Sequence, residues 1–225
     1  MTDDQFKQQI KSAVSALIRS EDRAAYDAFG HAFETEADAF VEHMTCTLLD
    51  FSVLVEHIQD GEERKLHVAA ILHDGINQHI VSFQLFLSGH LVAAGALFRL
   101  ALEYVALSIL CSAKDSSVLE RFESDRYSTQ DAIHHLGKFA EKVGIDKAAA
   151  AQIKAAYVFL HKYAHPSKLT LATGTSFHAG GQPVIGANFD PEKLNEYRKE
   201  IANRVGLASV FPSIVKIVGS NMATW

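Results

Sequence analysis

The chain has 225 residues, 48% of them hydrophobic, and a formal charge of −6 at neutral pH. That length fits one large domain, or a core domain with an appended arm, and the apolar content excludes a disordered chain because it is enough to close a core. The acidic balance excludes a broad nucleic-acid footprint, while a local basic groove stays compatible with it.

The opening residues, "MTDDQFKQQIKSAV", are acidic and polar and carry no apolar signal-peptide region. Cys46 and Cys111 are far apart and lie inside helical patterns, so they read as reduced core thiols of a cytoplasmic protein. Helical periodicity covers most of the chain. Phe6, Ile10, Val14 and Leu17 mark a first helix ending near Arg19. A second is expected over 22–59, with Val41, Met44, Leu48, Phe51, Val55 and Ile58 facing inward. After "DGEER", a third runs to Leu87 on Leu66, Ala69, Ile76, Ile80 and Phe83.

"SGH" at 88–90 then gives way to "LVAAGALFRLALEYVALSIL", which is apolar enough to raise the question of a membrane span. Arg99 and Glu103 at its middle would each cost a few kcal/mol in lipid, about 2.5–3.5 for a charge at mid-depth. The segment therefore reads as the buried central helix of a bundle that does not enter a membrane. Further on, Asp115 is a candidate N-cap for a short helix, Ser128 with Asp131 resembles a capping box, and that next helix is expected to end at Gly144. Asp146 caps a helix that Pro166 stops. Residues 175–189 form the only β-like piece, an arm or hairpin around Gly180-Gly181. Asp190 and Pro191 start the last helix, which is expected to run to about Gly219 with a bend near Gly206 or Pro212. The fold class is all-α: a helical bundle with a short β-like hairpin or arm before the C-terminal helix. We expect one domain over 1–225, with N-terminal helices in 1–60, core helices in 62–166, the arm in 167–189 and the last helix in 190–223.

Gly95, Arg99, Glu103 and Ala106 share one stripe of the central helix, so small residues flank the charges and permit close approach of a neighbour. Arg before Glu is the less favourable order for an i,i+4 pair, and a buried pair needs further hydrogen bonds to offset desolvation. The expected neighbour is "FLHKYAHPS" at 159–167, where Tyr157, His161 and His165 follow at helical steps with Lys154 on the same side. An imidazole near a carboxylate is a proton-transfer unit, and an arginine beside it can hold a phosphate. The alternative is that the same residues only lock packed helices in register.

A central "FRLALEY" followed by a helix ending in "LHKYAHPS" resembles the bacterial HEPN-like all-α superfamily, over roughly residues 65–170. Abortive-infection-type and uncharacterised proteins belong to that group. The resemblance implies a homodimer acting on or binding RNA or nucleotide, in a defence or toxin-type system, and, where active, a metal-independent ribonuclease. Its signature of Arg, a polar residue, three more and His falls on Leu160, His161, Lys162, Tyr163, Ala164 and His165. The Arg position is therefore Leu160, which removes the expected phosphate ligand unless Arg99 or Lys162 replaces it. In the active form His165 is the general acid/base, Arg99 binds phosphate, Glu103 orients it and His161 assists. The other outcome is a non-catalytic module that binds a protein or nucleotide partner.

Twelve histidines also raise a metal-dependent hydrolase as a third reading. His161 with His165, Asp131 with His134, and His73 have permissive spacing, but no H-E-x-x-H or di-iron pattern occurs. We assign no metal and no cofactor. "ATGTSFHAGG" fits neither a Walker A loop nor a dinucleotide fingerprint, and no G-x-S-x-G is present. Lys138, Lys142, Lys147 and Lys154 read as a solvated face.

Overall fold

The computed structural model describes residues 2–19, 23–114 and 117–225. Its helices are α1 (Asp3–Arg19), α2 (Arg23–Ala32), α3 (Glu34–Glu56), α4 (Glu63–Leu87), α5 (Leu91–Cys111), α6 (Val118–Glu123), α7 (Thr129–Phe139), α8 (Lys147–Leu160), α9 (Lys168–Thr173) and α10 (Leu194–Met222). Two 3-10 turns, His161–Tyr163 and Pro191–Lys193, and a two-stranded hairpin of β1 (Thr175–Ser176) and β2 (Gln182–Pro183) complete the described elements. The all-α bundle with a short hairpin before the last helix is what forms. Asp115 lies outside the described residues.

The middle of the bundle is a helical hairpin of α4 and α5. A Cβ on Gly75 would lie 3.1 Å from the Tyr104 Cβ, and the Ser82 hydroxyl donates to the Ala94 carbonyl at 2.8 Å, so the two helices run antiparallel. α5 carries an apolar surface nearly all round and is buried over most of its length, by α4 on one side and by α7, α8 and α10 on others. By length and composition α5 and the segment Pro191–Met222 are each apolar enough to cross a membrane, but α5 is largely covered by its neighbours.

Local chemistry explains most boundaries. Ser128 and Asp131 form the expected capping box: Ser128 Oγ accepts from the Asp131 amide at 3.1 Å, and Asp131 Oδ2 accepts from the Ser128 amide at 3.2 Å. Asp146 Oδ1 accepts from Ala148 N at 2.6 Å and Ala149 N at 3.3 Å, which starts α8. Asp190, fully buried, accepts from Glu192 N at 3.1 Å and from Phe177 N at 2.7 Å, tying the hairpin to the last helix. Burial works against its ionisation, but these backbone donors outweigh it and hold its pKa below the usual value. Pro212 sits inside α10, which continues through both Gly206 and Pro212.

Several expectations need correction. The helix expected over 22–59 is two, because Phe33 (φ −137°, ψ 29°) leaves helical geometry and turns into the core against Phe29 and Phe86. On α3 the inward side is Phe40, Met44, Thr47 and Leu54, whereas Val41, Leu48 and Val55 are exposed; the apolar pattern is wider than the stripe the bundle covers. Phe6, Ile10 and Val14 of α1 are exposed as well, and so is Leu66 on α4. Cys46 is exposed, so only Cys111 is a core thiol. α7 ends at Phe139, with a turn carrying the chain to Gly144 at φ +74°. The arm is partly helical: Ser167 caps α9 by accepting from Thr170 N at 3.2 Å.

Candidate functional site: two arginine–glutamate pairs on either side of one tyrosine-bearing segment

Arg99 and Glu103 form an ion pair of 2.7 Å on α5, with side chains 23% and 7% exposed. Both find further partners. Thr129, the first residue of α7, donates to Glu103 Oε2 at 2.5 Å. Arg99 Nη2 donates to the Tyr157 hydroxyl at 3.1 Å, and its guanidinium lies 5.0 Å from the Tyr157 ring centroid. Three helices therefore meet at the pair, and Nη2 alone serves both Glu103 and Tyr157. Arg99 Nε is buried with no acceptor among the described residues.

The expected histidine-bearing neighbour is the one that arrives, but it makes contact through Tyr157. Among the described residues no hydrogen bond or ion pair joins Arg99 or Glu103 to His161 or His165. The two imidazoles are exposed. The His161 ring lies 6.3 Å from that of Tyr157, and the His165 ring 4.5 Å from that of His161. Glu103, Arg99, Tyr157, His161 and His165 thus form a string running from the core edge to the surface. Leu160, at the position where the resemblance expects arginine, is buried in the core.

A second pair was not anticipated. Arg204 on α10 is 1% exposed and reaches Glu200, 13% exposed, at 2.8 Å. Its guanidinium is sandwiched between the rings of Phe86 and Phe98, 4.9 Å from each centroid, and its Nε lies 3.3 Å from Ser82 Oγ. Tyr163 donates to Glu200 Oε1 at 2.9 Å, and burial, reinforced by that carboxylate, pushes the Tyr163 pKa well above the usual phenol value. The Tyr163 ring lies flat against Gly95, where an added Cβ would come within 2.6 Å of the ring carbon Cδ2. The glycine one turn before Arg99 therefore makes room for Tyr163, and α8 with its 3-10 turn delivers Tyr157 to one pair and Tyr163 to the other.

Beside Arg204 lies His79, wholly buried among Phe40, Phe98 and Phe211, with ring centroids 5.1–5.4 Å away. Its Nε2 is 3.0 Å from the Arg204 carbonyl, an acceptor, so the neutral tautomer with hydrogen on Nε2 fits. Burial lowers its pKa to about 3. His79 is thus the buried histidine of α4, while the metal-ligand candidate His73 is exposed.

Signals for this second site existed. Tyr197, Ile201, Arg204, Ala208, Phe211 and Val215 recur at steps of three and four, which places Arg204 on the inward stripe of α10. Next to it Lys193 donates to the carbonyls of Ala172 (2.8 Å), Thr173 (3.3 Å) and Thr175, and burial lowers its pKa. A cavity of about 130 Å³ lies between Tyr163, Phe177, Lys193 and Arg204.

Among the described residues no three His, Cys, Asp or Glu side chains gather as a metal-ligand set. Asp131 is held by Ser128, whose hydrogen bonds keep its pKa low, and His73 stands apart beside Asp74 at 4.0 Å. Cys111 is no nucleophile, since burial pushes its thiol up to about 12. No family model, curated protein or solved structure matches this chain.

Proposed function

We propose that this protein is a HEPN-like helical domain that binds RNA or a nucleotide through its phosphate groups on the face formed by α8, the turn after it and Arg99. The supporting observation is charge placement. In a chain of net charge −6, residues 147–189 contain four lysines and three histidines and no carboxylate. Lys154, His161, Lys162, His165 and Lys168 of this segment are all exposed. Local positive charge attracts a polyanion even where the whole molecule is acidic.

Binding is the reading that one copy supports best. In-line displacement at phosphorus puts the attacking and leaving oxygens on opposite sides. Ring centroids 4.5 Å apart leave no place for a phosphate between His161 and His165, so this pair acts from one side. Cleavage would need the corresponding pair of a second copy. The homodimer is part of the proposal: Val41, Leu48 and Val55, exposed at heptad spacing on α3, offer a seam for a second copy.

Anisotropy of a labelled single-stranded RNA at several salt concentrations tests the proposal. The expected slope of log K against log salt is about −0.7 per phosphate neutralised, and Lys162→Gln with Lys168→Gln makes it shallower. RNA binding that is absent, or unchanged by those two substitutions, contradicts it. The same samples in EDTA assign catalysis if RNA is cut by the wild type and spared by His165→Ala of equal melting temperature.

A second reading, a structural lock within a non-catalytic interaction module, is favoured by the saturation of Arg99 Nη2 and by Leu160. It predicts that Arg99→Met with Glu103→Leu folds normally and binds RNA no differently from wild type.

A further inference from the structure

We propose that a separate pocket between the C-terminal end of α5, α6 and α7 binds a small organic anion: a carboxylate or phosphate monoester carried on an apolar body. The pocket encloses about 270 Å³, close to the lower end of the ~300–1,000 Å³ usual for small-molecule sites. Leu110, Val118 and Phe139 give it an apolar floor. Tyr127 is buried in its wall, with its hydroxyl 3.0 Å from His135 Nδ1.

Three cations, Arg121, Lys138 and Lys142, line this floor. The neighbouring acids that are described make their contacts away from it. α6 reads Glu120, Arg121, Phe122, Glu123, and its two glutamates pair with α4: Glu120 with Arg64 at 2.7 Å and Glu123 with His67 at 2.5 Å. Arg121 is left to the pocket, where its guanidinium covers the Tyr127 ring at 5.0 Å. On the opposite rim Glu141 is taken by Lys147 at 2.6 Å. Lys138, near the end of α7, and Lys142, in the turn after it, then both line the pocket, while Glu141 between them in sequence is paired to Lys147. Asp131 is close enough to feel Arg121 and His135, but it is bound to Ser128 and does not line the pocket. Among the described residues no carboxylate does.

Three cations over an apolar floor, with no carboxylate among the described lining residues, suit a ligand that supplies both a negative charge and an apolar body to cover the floor. A merely solvated lysine face, the reading given to Lys138 and Lys142 from sequence, has no such floor. Leu110 is eleven residues beyond Arg99 on the same helix, about 16 Å along its axis, so this site is distinct from the proposed RNA face and stands or falls independently of it.

The test is a titration of isotope-labelled protein with phenyl phosphate and with benzoate, followed by amide chemical shifts. Saturable shifts centred on α6, α7 and the end of α5 are expected. Because both lysines are exposed, Lys138→Gln with Lys142→Gln should fold normally and lose about tenfold in affinity. Benzyl alcohol and inorganic phosphate should each bind more weakly than phenyl phosphate. No saturable shift with either anion overturns the proposal, as do shifts centred on α8. Equal affinity for benzyl alcohol or for inorganic phosphate also overturns it, because the cations or the floor would then recognise nothing.

Discussion

The molecule holds two arginine–glutamate pairs of the same spacing and nearly the same length, 2.7 Å for Arg99–Glu103 and 2.8 Å for Glu200–Arg204. Each is joined to a tyrosine from one short stretch of chain, Tyr157 or Tyr163. They differ in order and in depth. Glu200 precedes Arg204, the orientation that agrees with the helix dipole, and Arg204 is enclosed by two phenylalanines and wholly buried. Arg99 precedes Glu103, against the dipole, and keeps about a quarter of its side chain in contact with solvent. Pairs of the same composition and spacing thus sit in different surroundings: the deep one is enclosed by the core, and the shallow one keeps its arginine in contact with solvent.

The largest effect should come from breaking the deep pair. Arg204→Met leaves Glu200 enclosed with no cation and should cost about 3–5 kcal/mol. At roughly 2–4 °C per kcal/mol for a chain of this size, calorimetry should record a melting temperature about 10 °C lower. A change of only a degree or two would mean that the core does not depend on it. Gly95→Ala comes next, because its methyl would collide with the Tyr163 ring; overpacking of this kind costs about 1–3 kcal/mol and should disturb both pairs together. Denaturant midpoints for Gly95→Ala and for Gly95→Ala with Tyr163→Leu check this, since removing the ring should restore much of the loss.

The deep site should also make stability depend on pH. His79 has a folded pKa of about 3, below the value near 6.5 of an unfolded histidine, so the unfolded chain binds the extra proton between those limits. Its contribution is complete above pH 6.5 and is lost as pH falls towards 3. Between pH 7 and 5 this single group should remove about 2 kcal/mol, and a His79→Leu variant should show a flatter dependence by that amount in urea titrations. Matching slopes for the two proteins would contradict the buried neutral imidazole. The smallest effect belongs to the shallow pair: Arg99→Met should cost about 1–2 kcal/mol by stranding Glu103, and adding Glu103→Leu should recover most of it. If the double substitution is as damaging as the sum of the singles, the two residues are not coupled.

Much of the fold was legible because its signals are local. The Ser128–Asp131 box, the Asp146 cap and the apolar run of α5 each specify structure from a few neighbouring residues. The shallow pair was legible for the same reason, since two charges interrupt an apolar run. The deep pair was hidden because "NEYRKEIANRVG" has charges on every side, and only the spacing from Tyr197 to Val215 marks Arg204 as inward. The Phe33 break was hidden too: it depends on tertiary packing against Phe29 and Phe86, which no local residue announces. On α3 the sequence pattern overstated burial, and the surplus of Val41, Leu48 and Val55 is visible only once the bundle is assembled.

The central claim is that RNA phosphate meets the exposed end of the string from Glu103 to His165. Side-chain NMR of the histidines during titration with a short single-stranded RNA tests it most directly, because exposed and buried imidazoles report separately. The account predicts progressive shifts of the His161 and His165 ring resonances with no response from His79. Unmoved His161 and His165 resonances at RNA saturation, or changes confined to histidines elsewhere, would contradict it.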